Sequence, residues 1–324
     1  MFNALGALTP RLQQWFEIHG DAINIDSGQE LIQEGLHPEY LFFLVEGQAS
    51  VTTFQGSQSV ELARLEPGAI FGEMSFIEAR PPVATIKTLT RAQVLRIKRT
   101  TINEELQTNP TISRDFYRLI AKKLASQLIS QNQFIHRWPG VEVEPIRKVL
   151  IVFSILTEVD VEWLSKRGKK VSFAPGNLII KESSSVPGLL IILAGDASVS
   201  IIQKGADNVV GSSRRGEFLG ELTLLGSSAT ATASVKAITD MEILEIDKQT
   251  LDDEFQNNQK FASRFFNALA VLLSQRLRDQ LRSRGMATRA FAAESLDDES
   301  MTLEQMSSIT TAGQRFEWLC QNVL

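Results

Sequence analysis

The feature of this sequence that most constrains its fold is an internal repeat with a spacing of about 148 residues. The stretch "GQELIQEG" at Gly28 matches "GNLIIKES" at Gly176, and "FGEMSF" at Phe71 matches "LGELTL" at Leu219. One inserted residue then moves the spacing to about 149, and matches continue, with "ATIK" answered by "ASVK" and "FYRLIAKKLASQL" by "FFNALAVLLSQRL". Self-similarity over this length predicts two homologous modules in tandem.

The repeat sets the domain boundaries that we expect in this 324-residue chain, which is long enough for two cores of ordinary size. Module one covers residues 1–136 and module two covers residues 149–284. Residues 137–148 are a predicted linker, because the surrounding stretch "HRWPGVEVEP" carries two prolines and a glycine. Residues 285–324 form a tail, predicted as a flexible spacer followed by a short C-terminal helix.

Each module has the same predicted order of secondary structure. A short helix comes first, and short β-rich runs such as "LFFLVEG" and "AQVLRI" follow, separated by glycine, proline and serine. A longer helix closes each module. This spacing is typical of a small antiparallel barrel or jelly roll. The predicted fold class is therefore α+β, with two tandem β-jelly-roll modules flanked by helices.

The closing helix of module two carries an apolar stripe at helical spacing, formed by Phe261, Phe265, Leu269, Leu272, Leu273 and Leu277. Two interpretations stay open. In the first, the stripe packs on its own barrel. In the second, it also contacts a partner helix, which would allow a homodimer through the terminal helices.

One loop of module one, "FGEMSFIEARPPVATI", joins a Gly-Glu pair to a following Ala-Thr pair. In this strand order it resembles the cyclic nucleotide-binding domain of cyclic-AMP receptor proteins, kinase regulatory subunits and gated channels. The resemblance covers both modules, nearly the whole chain. It implies a glycine-opened short helix whose N–H groups face a cyclic phosphate, and a glutamate that accepts from the ribose 2′-hydroxyl. An arginine about nine residues later would pair with the phosphate.

Carried over position by position, the resemblance assigns ligand-binding roles to glycine, glutamate and hydroxyl residues in both loops. The arginine itself is absent, because Pro82 stands in its place in module one and Ala231 in module two. Arg80 lies two positions early in module one, and module two has no basic residue between Glu221 and Ser234. The candidate ligand-binding residues are Gly72, Glu73, Arg80 and Thr85 in module one and Gly220, Glu221 and Ser234 in module two.

The missing arginine predicts weak binding of cAMP and cGMP. Removing one partner of a buried charge pair costs about 2–5 kcal/mol, which is roughly thirtyfold to several thousandfold in affinity. Arg80 would need a different backbone path to reach a phosphate, because Pro81 and Pro82 stiffen the loop. The alternative role for Glu73 and Glu221 is structural, since a glutamate at a helix start caps N–H groups or complements the helix dipole.

Composition and motif searches argue against an enzyme and against nucleic-acid binding. The formal net charge is -5 and the pI is near 5.5. The three histidines, His19, His37 and His136, are widely spaced, so no metal site and no cofactor is predicted. Cys320 has no histidine near it in sequence and reads as a buried or incidental thiol. The most apolar stretch is interrupted by glycines and an aspartate, so no membrane span is expected.

The sequence therefore predicts a non-enzymatic cytoplasmic regulatory or sensor protein with two degenerate cyclic-nucleotide-binding modules. It would act through ligand-modulated or constitutive contacts with a protein partner, and a nucleotide second messenger is its candidate ligand. A transcriptional regulator of the cyclic-AMP-receptor type is the disfavoured alternative, because the 40-residue tail is too short for a recognition domain. The basic pair Arg214–Arg215 is either a displaced phosphate contact or a solvated turn.

The end of the tail predicts one more helix. Thr302 and Gln305 have the spacing of a capping box. A sparse apolar face follows, marked by Met306, Ile309, Phe316, Leu319 and Val323. The favoured interpretation is a helix that folds back on one of the barrels. The alternative is a segment that docks on another protein through Phe316, Trp318 and Leu319.

Overall fold

A computed structural model describes residues 2–132, 151–203, 205–298 and 303–323 of the chain. The predicted linker at residues 137–148 and the predicted helix cap at Thr302 lie outside the described residues. The chain divides into two compact units. Unit 1 contains residues Met1–Leu124 and Leu273–Met301, and unit 2 contains Ala125–Leu272 and Thr302–Leu324. The tail is thus shared between the units, whereas the sequence analysis set it apart from both modules.

The secondary structure up to residue 132 follows the predicted order of helix, strands and helix. A 3-10 turn at Leu5–Ala7 precedes the first helix. The helices are α1 (Pro10–His19), α2 (Glu73–Glu78), α3 (Arg99–Thr108) and α4 (Pro110–Asn132). The strands are β1 (Asp21–Ile25), β2 (Glu30–Ile32), β3 (Tyr40–Glu46), β4 (Ala49–Gln55), β5 (Gln58–Leu65), β6 (Ile70–Phe71), β7 (Thr85–Thr88) and β8 (Ala92–Lys98).

The same order recurs after residue 150, where residues 151–155 are helical. The helices that follow are α5 (Glu158–Arg167), α6 (Glu221–Leu224), α7 (Lys248–Asn257), α8 (Gln259–Ser283), α9 (Thr288–Asp298) and α10 (Leu303–Asn322). The strands are β9 (Lys169–Phe173), β10 (Leu178–Ile180), β11 (Gly188–Ala194), β12 (Asp196–Gln203), β13 (Ala206–Arg214), β14 (Phe218–Leu219), β15 (Ser234–Ala237) and β16 (Met241–Asp247).

Each unit contains two four-stranded antiparallel sheets with equivalent topology. In unit 1 the strand orders are β1-β8-β3-β6 and β2-β7-β4-β5. In unit 2 they are β9-β16-β11-β14 and β10-β15-β12-β13. The predicted α+β class with two tandem β-jelly-roll modules is confirmed. Strand pairs far apart in sequence, such as β1 with β8, close each module around one core.

The central strand of each module is apolar on both faces because both faces are covered. In β3, Phe42 and Leu44 point into the core between the two sheets. Phe43 points the other way and packs against Phe16 of α1, with ring centroids 4.7 Å apart. The equivalent strand β11 reads "GLLIILA" and is buried along most of its length. A near-continuous apolar run is the pattern expected of a strand with no solvent-facing side.

The turn after each central strand requires glycine. Gly47 has a φ of 88° and Gly195 has a φ of 87°, a region that residues with a Cβ rarely adopt. A Cβ at Gly47 would lie 2.6 Å from the Arg91 carbonyl oxygen, and one at Gly195 would lie 2.4 Å from the Asp240 carbonyl oxygen. The same constraint at the same place supports the common origin of the two modules.

The apolar stripe of α8 is buried. Phe261, Phe265, Leu269 and Leu272 belong to the core of unit 2. Phe265 lies against Phe218 of β14, with ring centroids 6.4 Å apart. This part of the stripe therefore packs on its own barrel, as the first interpretation has it, and the partner helix remains a prediction.

The tail differs from the prediction in its first half. Residues 287–301 were expected to be a flexible spacer because they are small, polar and acidic, but Thr288–Asp298 form helix α9. That expectation is wrong, because residues far away in the sequence form hydrogen bonds with this helix and stabilise it, as described below. Helix α10 lies where a short C-terminal helix was predicted, but it runs for 20 residues. Phe316 lies 4.9 Å from the Phe153 ring in unit 2, so α10 folds back on that unit, while Trp318 stays 41% exposed.

Candidate functional site

The loop of unit 1 that carries the candidate residues runs from Gly72 to Thr85, and we call it cassette one. Gly72 has a φ of 90° and is the N-cap residue immediately before α2. A Cβ at this position would lie 3.1 Å from Ile32 and 3.4 Å from the Tyr40 carbonyl oxygen. The glycine is therefore required by both its conformation and its close contact with β3.

Glu73, the predicted ribose ligand, is buried and already has a cationic partner. The Nζ of Lys123, on α4, donates to its Oε1. Lys123 is 9% exposed, on a helix face that otherwise carries apolar side chains. The sequence analysis did not single out Lys123. A lysine among the apolar positions of "LIAKKLASQL" is the signal that could have found it, since a buried lysine needs a partner.

The Arg80 side chain lies near a carboxylate of its own loop. Its Nη1 lies 4.0 Å from Oε2 of Glu78, and its carbonyl oxygen accepts a hydrogen bond of 2.6 Å from Ser75. The carbonyl of Pro82 accepts from the Gly35 N–H at 3.0 Å. The backbone of cassette one is thus fixed by local hydrogen bonds, and the Arg80 side chain is directed to a carboxylate.

A second arginine, Arg99, also reaches cassette one. Its Nη2 donates to the Ser75 carbonyl oxygen at 2.9 Å, and its Nη1 donates to the Pro38 carbonyl oxygen at 3.3 Å. Burial lowers the pKa of Arg99 from its usual value. The guanidinium holds α2 to the chain before β3, so it supports the cassette from its backbone side.

The two hydroxyl residues of the candidate set have one equivalent role in the two units. Thr85 Oγ1 accepts from the Glu34 N–H at 3.0 Å, and Ser234 Oγ accepts from the Glu182 N–H at 3.0 Å. In turn, Oε2 of Glu34 accepts from the Phe54 N–H at 2.8 Å, and Oε2 of Glu182 accepts from the N–H of Ile202 at 2.7 Å. This hydroxyl–glutamate–strand link was not foreseen, although both glutamates are visible in the aligned repeat.

Cassette two, from Gly220 to Ser234, has the same start. Gly220 has a φ of 82°, and a Cβ there would lie 2.6 Å from the Gly188 carbonyl oxygen. Glu221 follows at the start of α6 and is buried. Ala231, at the arginine position, is 8% exposed, and its backbone pairs with Ser183 and Ser184 at 2.8 and 2.9 Å. The structure therefore brings Gly220, Glu221 and Ser234 into one loop that contains no lysine or arginine.

The basic pair before cassette two is engaged elsewhere. Arg215 donates to the Leu193 carbonyl oxygen at 3.0 Å and to Glu317 of α10 at 2.7 Å. Its guanidinium also lies 5.1 Å from the centroid of the Phe316 ring. Arg215 thus fastens α10 to unit 2, and Arg214 lies 3.7 Å from Asp196.

Cys320 lies beside this contact and should react slowly. Burial raises the pKa of its thiol, and the neighbouring Arg215 lowers it by a smaller amount. At pH 7.5 we expect alkylation by iodoacetamide to be slower than in the guanidinium-unfolded chain, with a rate that rises up to a pH above the usual thiol pKa. Mass spectrometry of the alkylated protein measures this. A folded-state rate equal to the unfolded one would contradict it.

Within the parts of the chain that the structure describes, no group of three or more histidine, cysteine, aspartate or glutamate side chains could hold a metal ion. Among the same residues, no helix has the length and apolar character that a membrane crossing requires.

Comparison with known proteins places these loops in a family. The model of the cyclic nucleotide-binding domain matches residues 22–109 and 170–258, together more than half of the chain. A cAMP-dependent protein kinase regulatory subunit of Mycosarcoma maydis is 23% identical over 67% of this chain and 39% of that protein. A cGMP-dependent protein kinase of Eimeria tenella is 28% identical over 64% of this chain and 18% of that protein. The chain therefore spans less than half the length of these relatives.

Among solved structures, the regulatory domain of Toxoplasma gondii PKA with cAMP is 16% identical, with a TM-score of 0.31 over 80% of this chain and 90% of that one. On the two family-model matches, this chain belongs to the cyclic nucleotide-binding domain family and carries the domain twice.

Proposed function

We propose that this chain is a non-enzymatic regulatory or sensor protein of the cytoplasm whose two cyclic-nucleotide-binding domains are degenerate. It acts through contacts with a protein partner, either modulated by a ligand or constitutive. Two of the relatives are, by name, a cAMP-dependent protein kinase regulatory subunit and a cGMP-dependent protein kinase, which supports a regulatory role. A nucleotide second messenger other than cAMP or cGMP is the candidate ligand.

One observation carries the proposal. Cassette one and cassette two keep the glycine and glutamate of the family but have Pro82 and Ala231 where the family has arginine. In unit 1 the neighbouring cations are also committed, since Lys123 pairs with Glu73, and Arg99 donates to backbone oxygens. A cyclic phosphate in either cassette would lie near a buried glutamate without the guanidinium that usually offsets its charge.

The ligand half of the proposal predicts a small thermal response to cAMP. A site with micromolar affinity would stabilise the folded protein by about 2.7 kcal/mol at a ligand concentration of 100 Kd. Affinity reduced by about 2–5 kcal/mol would leave less than about 1 kcal/mol at that same concentration. Thermal-shift measurements with cAMP, cGMP and cyclic dinucleotides test this. A rise with cAMP equal to that of a micromolar site would overturn the proposal.

The partner half is tested on the full chain in solution. Light scattering after size-exclusion chromatography measures whether the chain forms a homodimer, which the terminal helices would support. Pull-down with a protein kinase catalytic subunit, with and without nucleotide, measures a regulatory contact of the kind that the relatives' names describe. Failure to bind a kinase would leave a constitutive scaffold, provided that another protein is retained at salt concentrations that remove non-specific contacts.

A further inference from the structure

Residues 278–294 follow the core of module two in sequence but pack within unit 1, and we call them the plug segment. It comprises the end of α8, the turn after it and most of α9, and all of it belongs to unit 1. We propose that the plug segment is an autoinhibitory element that covers cassette one and must move before a ligand can enter. The ligand-access part of this inference rests on the proposed function above.

Glu34 anchors the first turn of α9. Its Oε1 accepts from the N–H groups of Arg289 and Ala290 at 3.1 and 3.4 Å. The side chain is only 3% exposed, and its other oxygen holds the Phe54 N–H of β4. The N–H of Ala287 donates to Thr53 Oγ1 at 3.1 Å. Two buried side chains, Glu34 and Thr53, thus accept hydrogen bonds from backbone N–H groups of the plug segment. Neither side chain faces solvent.

Apolar contacts join the plug segment to cassette one and to β5. One cluster contains Val83 of cassette one together with Leu281, Ala287 and Ala290 of the plug segment. Met74 of α2 and Leu62 of β5 pack against the same cluster. Residues from cassette one and from β5 therefore pack against the same few plug side chains.

Arg278 provides the third anchor. It contacts cassette one, the loop in which Pro82 replaces the family's arginine. Its Nη2 donates to the Pro81 carbonyl oxygen at 2.9 Å, one residue before the arginine position. Its Nε donates to Glu78 at 3.1 Å and its Nη1 to Glu294 of α9 at 2.7 Å. The guanidinium is buried and its donors are used in these contacts, so it ties α9, α8 and cassette one together.

The plug segment has features of an element that can leave. Its fully buried apolar side chains are Leu281, Ala287 and Ala290, and Met286 and Phe291 are only partly buried beside them. Ala287 has a φ of 57°, a left-handed conformation that is unfavourable for alanine. Arg282, Arg289 and Ala292 face solvent. Release would remove the strain at Ala287 and expose Leu281 with parts of Met286 and Phe291, whereas release of a barrel strand would expose the whole core of the module.

The test compares two substitutions on the same helix in the full chain. Ala290→Glu introduces a charge where the side chain is fully buried, and Ala292→Glu introduces it on the exposed face of α9. Hydrogen exchange by mass spectrometry should show residues 284–298 exchanging at least about tenfold faster in A290E, with β4 and β7 still protected. A292E should match the wild type. Glu294→Gln, a milder change, should give an intermediate rate.

The outcomes separate the two proposals. If β4 and β7 lose protection together with the plug segment in both A290E and Glu294→Gln, the segment is part of the barrel core and the inference is wrong. Unchanged exchange in A290E contradicts it equally. If the segment opens alone, thermal shift with the cyclic nucleotide and cyclic dinucleotide panel follows. A response in A290E but not in the wild type supports autoinhibition, and no response with the segment open contradicts the proposed ligand binding while the plug itself stands.

Discussion

Ala231→Arg is expected to raise the affinity of unit 2 for cAMP by roughly thirtyfold to several thousandfold. Removing one partner of a buried charge pair costs about 2–5 kcal/mol, and supplying the missing partner should return a gain of the same size. Gly220, Glu221 and Ser234 belong to the same cassette as the altered position. A guanidinium added there would neutralise the charge of the cyclic phosphate. Cassette two has no cation of its own for this role.

Position 231 suits this experiment better than position 82. The backbone of Ala231 is already fixed, because its N–H donates to the Ser184 carbonyl oxygen at 2.9 Å and its carbonyl oxygen accepts from the Ser183 N–H at 2.8 Å. The Ala231 side chain is 8% exposed and belongs to an apolar cluster of unit 2, so the unfolding free energy of the arginine variant is measured beside its binding. Pro82 has no N–H and a restricted φ, so its replacement would alter the backbone of cassette one as well as its charge. Cassette one is also covered by the plug segment.

The matched control is Ala231→Gln, which adds a polar side chain of moderate length without the charge. Isothermal titration calorimetry with cAMP on the three full-length proteins gives the comparison. The arginine variant alone should bind, and its affinity should fall as salt is raised. Equal affinity in the arginine and glutamine variants would show that charge at position 231 does not limit binding, and the degenerate-cassette proposal would then lose its main support.

The fold could be predicted from the sequence because its signals are local and occur twice. Gly47 and Gly195 mark the same turn, and the apolar runs of β3 and β11 mark the same central strand. Each signal needs only a few neighbouring residues. A second copy at a fixed spacing turns a weak pattern into a strong one.

The interior of the candidate site could not be predicted, because it is built from residues far apart in the chain. Glu73 meets Lys123 fifty positions later, and Glu34 meets Ala290 at a separation of 256 residues. The composition of residues 287–301 indicated a spacer. The hydrogen bonds that this segment makes with Glu34 and Arg278 cannot be read from the local sequence. The prediction relied on local propensity and was wrong, because tertiary contacts stabilise this helix.

Lys123→Met is expected to lower the free energy of unfolding of unit 1 by about 3–5 kcal/mol. The substitution keeps most of the side-chain volume but leaves the Glu73 carboxylate buried without its cation. A loss of this size would be a large part of the stability of a domain of this length. Denaturant unfolding, combined with hydrogen exchange of β3 and β8 to assign the transition to unit 1, measures the change.

The double variant Lys123→Met with Glu73→Met decides what the pair is for. Replacing a buried ion pair by apolar side chains of similar volume is often neutral or stabilising, so most of the lost stability should return. If it does, the Glu73 carboxylate is not needed for folding, and its retention beside a cation is better explained by a ligand that competes with Lys123 for it. If Glu73→Met alone destabilises as much as Lys123→Met and the double variant recovers nothing, Glu73 is a structural cap of α2, and the ribose role implied by the family resemblance no longer applies to cassette one.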